Sequence, residues 1–71
     1  LNHQNWRSQA LLDAQKIRSD SIHYTSIQTL SFSDFEKLKE LILKFIDNQR
    51  DIIKSSKEEQ LACFTCDWFR V

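Results

Sequence analysis

The feature that most restricts how this chain can fold is the absence of glycine and proline from its 71 residues. Average usage of about 7% Gly and about 5% Pro would supply several of each. Long regular elements joined by plain polar links would explain the absence, and so would a piece taken from a longer protein. A chain of this size holds at most one domain and is marginally stable alone. We therefore expect residues 1–71 to form a single accessory domain, a fragment of a longer protein.

Composition and charge exclude several functional classes. Hydrophobic residues make up 41% of the chain and include eight aromatic side chains, which argues against a disordered tail. Ten basic and ten acidic residues leave no net charge, so this segment is not expected to grip nucleic acid by itself. No apolar run approaches the roughly 20 residues of a membrane span. Two cysteines without secretory features indicate a cytoplasmic protein.

Hydrophobic periodicity predicts two helices and two strands. Their order along the chain is a first helix, a strand, a long helix and a second strand. Residues 4–18 show the spacing of an amphipathic helix. Residues 22–32 and 61–71 are rich in β-branched and aromatic types, which is typical of strands. The apolar positions of the first helix are Trp6, Ala10, Leu11, Ala14 and Ile17.

The long helix is the clearest signal in the chain. Ser33 and Glu36 have the spacing of a capping box, in which each side chain bonds the other residue's backbone N–H. Asp34 suits the positive end of the helix dipole, and Lys54 suits the negative end. About 22 residues follow the cap, with apolar positions at heptad spacing. The stripe comprises Phe35, Leu38, Ile42, Phe45, Gln49 and Ile52, with Gln49 as its one polar member.

The element order α-β-α-β predicts an α+β fold, with the long helix packed on a small sheet. A strand, a crossover helix and a second strand favour a parallel βαβ unit. Two strands are too few to be stable alone, so we expect dimerisation to complete the sheet. One face of the second strand would cover the helix, and the other would meet a second copy. The alternative is that the first helix covers this second face and leaves a monomer. The candidate interface residues are Leu61, Cys63 and Phe69.

No set of residues forms a convincing chemical site. Cys63 and Cys66 form a CxxC, but positions three apart on a strand point to opposite faces, which disfavours a zinc or thiol-redox site. His3 and His23 have no ligand spacing to that pair. Surface positions explain both histidines more simply. We therefore expect no enzyme activity, no metal and no cofactor.

The stretch from Thr29 to Val71 resembles the C-terminal domain of an uncharacterised bacterial family of predicted helix-turn-helix transcriptional regulators. The resemblance covers "TLSFSDFEKLKELILKFIDNQRDII" and the closing "DWFRV". Arg70 departs from the pattern, because that family has proline there. The matching positions are Thr29, Leu30, Ser33, Asp34, Phe35, Phe45 and Phe69.

The resemblance implies a regulator's accessory domain that provides dimerisation, effector sensing or partner contact. DNA would be contacted through a segment outside this fragment. An alternative is a protein-interaction domain of an unrelated cytosolic protein, and a third is a module built on Cys63 and Cys66. The apolar stripe of the long helix is compatible with two interpretations. It packs on the sheet of its own chain, or it pairs with a helix of another chain. The residues identify no small-molecule effector, operator or partner.

Overall fold

Two helices are the regular elements of the part of the chain that the computed structural model describes, residues 2–16 and 19–71. Helix α1 spans His3–Ala14, and helix α2 spans Phe32–Lys54. The 23 residues of α2 make it about 35 Å long at 1.5 Å per residue. The remaining described residues form turns and irregular backbone.

Helix α1 is capped by its own polar residues. The Asn2 side-chain oxygen accepts a hydrogen bond from the Asn5 backbone N–H at 3.1 Å, which satisfies one of the free donors of the first turn. The helix ends at Ala14, earlier than the predicted end at residue 18, and Gln15 is its C-cap. Its apolar side chains do not gather on one face, so the predicted amphipathic character is wrong. The predicted apolar position Ile17 lies outside the described residues.

The N-cap of helix α2 lies two residues before the predicted cap. Ser31 is the N-cap, and its hydroxyl oxygen accepts the Asp34 N–H at 3.0 Å. Ser33 is therefore the second helical residue and not the cap, and Glu36 lies beyond the first turn. The sequence pattern fits both serines, because each has an acidic residue three positions later. The predicted Asp34 in the first turn and Lys54 in the last turn are confirmed.

The two predicted strands are wrong, and with them the α+β fold and the βαβ unit. No strand occurs in residues 2–16 or 19–71, so the described fold is all-α. Phe32, assigned to the end of the first strand, is the first residue of α2. Outside the helices, the backbone hydrogen bonds seen in these residues join positions two to four apart. β-branched and aromatic residues favour a strand only where a neighbouring strand completes the hydrogen-bonded ladder.

The chain divides into two compact units. The first unit combines Leu1–Ile27 with Ala62–Val71, so it joins α1 to the C-terminal segment. The second unit is Gln28–Leu61 and contains α2 with its flanking residues.

Burial is low throughout the described residues, none of which is buried. The accessible surface is 7394 Å². Large apolar side chains of both helices are therefore exposed to solvent, among them Leu11 of α1 and Ile52 of α2.

Two substitutions at the start of α2 test which serine caps the helix. Ser31→Ala removes the acceptor for the Asp34 N–H and should lower the free energy of unfolding by about 1 kcal/mol. Ser33→Ala is the matched control, because Ser33 lies inside the helix and only its hydroxyl, 3.2 Å from Ser31 Oγ, touches the cap. Urea denaturation followed by circular dichroism measures both. A larger loss for Ser33→Ala than for Ser31→Ala would place the cap at Ser33.

Candidate functional site

Helix α2 has one half-buried face and one exposed apolar face. Alternate members of the predicted heptad stripe, Phe35, Ile42 and Gln49, are half-buried, as is Ile46. The other members of the heptad stripe are exposed. At about 100° per residue the two sets lie side by side on the helix surface. The single stripe that the sequence predicts is therefore two stripes in the structure.

The exposed face is the larger candidate for an interaction site. Four residues, here called the exposed α2 stripe, occupy an arc of about 60° and span most of the helix. Leu38 is 38% exposed, Leu41 is 60% exposed and Ile52 is 71% exposed. Hydrophobic surface of this kind, aligned along one helix face, is typical of a docking site for another helix. The stripe consists of Leu38, Leu41, Phe45 and Ile52.

Charged residues run along one edge of this stripe. Lys37, Lys44 and Asp51 recur at intervals of seven residues and so share one side of the helix. Lys37 Nζ lies 3.7 Å from Asp34 Oδ1, and both side chains are well exposed. The edge thus carries positive charge in its first half and negative charge near its C-terminal end.

Gln49 is the polar member of the half-buried face. Its Oε1 atom is shielded from solvent and has no hydrogen-bond partner among the described residues. A shielded amide oxygen without a donor is unfavourable, at a cost of about 1–3 kcal/mol.

Two polar side-chain pairs connect parts of the first unit. Arg7 of α1 donates to Asp67 through Nε at 2.7 Å and through Nη2 at 2.5 Å, a two-pronged pair that ties the C-terminal segment to the helix. Asp13 Oδ2 lies 2.8 Å from His23 Nε2 and links α1 to the residues that follow it. The Arg7 and Asp67 positions are 60 residues apart, so no local sequence signal could have identified this pair.

The residues considered for chemistry do not assemble into a site in the described part of the chain. Cys63 and Cys66 are free and exposed. No group of three or more His, Cys, Asp and Glu side chains there could hold a metal ion. His23, predicted to be a surface residue, is exposed, and its Nε2 lies 2.8 Å from Asp13 Oδ2.

The predicted interface residues are exposed but belong to different units. Leu61 is in the second unit, whereas Cys63 and Phe69 are in the first. All three are exposed. The sequence predicted that they share one face of a strand, but that strand is not formed. Their role in an interface stays a prediction.

Neither helix of the described chain is long and apolar enough to cross a membrane. Comparison of the sequence with protein-family models and with curated proteins, and of the chain with solved structures, found no match. We therefore infer a function from the surfaces of the chain itself.

The Arg7–Asp67 pair should contribute measurably to the stability of the first unit. Both side chains are about half exposed, so a double-mutant cycle of Arg7→Ala and Asp67→Ala should give a coupling free energy near about 1 kcal/mol, the upper end for exposed pairs. The coupling should fall as salt is raised. Arg50 and Asp47, 4.0 Å apart and far more exposed, are the matched control and should show weaker coupling. Equal coupling in the two cycles would contradict a special role for Arg7.

Proposed function

We propose that this chain is a non-catalytic assembly domain of a bacterial transcriptional regulator, acting mainly through homodimerisation. The observation that carries the assembly role is the lack of any buried residue in the described chain, combined with the exposed apolar residues of the exposed α2 stripe. Apolar surface removed from water contributes roughly 25 cal/mol per Å², so covering it by association would stabilise the fold strongly.

The lack of any buried residue in the described chain favours an obligate partner over a transient one. Obligate homodimers bury about 2,000–5,000 Å² in total, and their interfaces are more hydrophobic than those of transient complexes. Such proteins often have no stable folded monomer, so that assembly and folding are one process.

The regulator assignment rests on the resemblance of Thr29 to Val71 to the C-terminal domain of predicted helix-turn-helix regulators. Dimerisation is expected of such a protein, because two-fold symmetric pairs of DNA-binding domains bind paired half-sites on DNA. DNA contact would come from a segment outside residues 1–71, since this chain has no net charge.

An interaction domain of an unrelated cytosolic protein is the second candidate, and the same exposed apolar residues favour it. The two candidates differ in what covers the exposed surface. A regulator's assembly domain is covered by its own copy, and an interaction domain by a different protein.

Sedimentation equilibrium of the purified chain over a wide concentration range tests the proposal. We expect the mass to rise from 8.5 kDa towards twice that value, and helix content to rise with it, because folding and association are coupled. The melting temperature should also increase with concentration. A mass of 8.5 kDa at every concentration, with a cooperative and concentration-independent melt, would contradict self-assembly.

A further inference from the structure

We propose that two copies of this chain associate by packing α2 against α2, antiparallel and related by a two-fold axis, through the exposed α2 stripe. This inference rests on the proposed assembly function and specifies the surface that performs it. The stripe lies wholly within the second unit, so its geometry depends on one continuous helix.

The apolar residues of the exposed α2 stripe are neighbours on the helix surface. This distinguishes them from other exposed residues of α2. Leu43 is 52% exposed, close to the 60% of Leu41, but it lies on the opposite side of the helix. The neighbours of Leu43 at helical spacing are mostly charged, and the half-buried Ile46 is the single apolar one among Lys39, Glu40, Ile46 and Asp47. Leu41 instead has Leu38 and Phe45 as neighbours in the stripe.

A second copy is the occupant because the stripe and its charged edge are self-complementary under a two-fold axis. The stripe runs from Leu38 to Ile52 and is centred on residue 45. Lys37 and Asp51 lie on its edge and are centred on residue 44. A two-fold axis near these centres, perpendicular to the helices, brings Lys37 of each copy towards Asp51 of the other. The same surface then meets itself, as in isologous dimers.

Electrostatics favours the antiparallel direction. An antiparallel pair places the positive N-terminal end of each α2 beside the negative C-terminal end of the other, whereas a parallel pair places like ends together. The one unfavourable contact is between the two Lys44 side chains near the axis. Their length and flexibility allow the ammonium groups to turn outwards into water.

The apolar part of the inference is tested by Leu41→Lys against Leu43→Lys. Both substitutions replace an exposed leucine of the same helix by lysine, so their effects on helix propensity and net charge match. Leu41→Lys should weaken the dimer at least about tenfold, since one apolar contact is lost on each copy. Leu43→Lys should leave the dissociation constant unchanged. Sedimentation equilibrium measures association, and circular dichroism at concentrations where each variant is dimeric checks that α2 forms.

The direction of the pair is tested by exchanging the edge charges. Lys37→Asp alone and Asp51→Lys alone should each weaken the dimer about three- to tenfold, because each turns two attractive contacts into repulsive ones. Both changes suit the helix dipole, but Lys37→Asp also removes the contact with Asp34 and places two carboxylates three residues apart. Circular dichroism of the variants checks that α2 still forms. The double variant restores opposite charges and should return to within about threefold of the unaltered chain. Asp47→Lys, on the solvated face, is the control for added positive charge.

The outcomes separate this inference from the proposed function. A dimer that tolerates Leu41→Lys as well as Leu43→Lys, or that is not restored by the double charge exchange, overturns the α2 pair and leaves self-assembly in place through another surface. A chain that stays monomeric at all concentrations overturns both. Selective loss with Leu41→Lys, together with restoration by the double variant, supports the antiparallel pair.

Discussion

The burial of apolar side chains is the constraint on which the rest of this structure depends. A chain of 71 residues has too much surface relative to its volume to cover all of its apolar groups. Here the described residues bury none completely, and even α2 keeps only one face half-buried. The regular structure that exists is the kind that satisfies its own backbone locally, which for an isolated segment means a capped α-helix.

The first unit shows what holds a segment in place when apolar burial is limited. Arg7 binds Asp67 with two hydrogen bonds, and Asp13 binds His23, so polar side chains connect α1 to residues distant in sequence. Exposed pairs of this kind contribute little individually. They specify which segments lie together more than they stabilise the fold.

Much of α2 was predictable, while its surroundings were not. Its length, its acidic first turn and its basic last turn follow from local patterns, and the structure agrees with them. The cap was misplaced from Ser31 to Ser33 because both serines satisfy the same local rule. The division of the heptad stripe into a half-buried face and an exposed face depends on which segments cover the helix, and periodicity does not carry that information.

The sequence by itself determined the helical segments, because i to i−4 hydrogen bonds, capping and dipole effects act within a few residues. Only the tertiary structure decided the state of residues 22–31 and 61–71, which carry strand-like composition yet form no ladder in the described chain. A strand requires hydrogen bonds from a neighbour, and whether a neighbour is present is a non-local property. The same reason makes the contact of Arg7 with Asp67 invisible in the sequence, since the two residues are 60 positions apart.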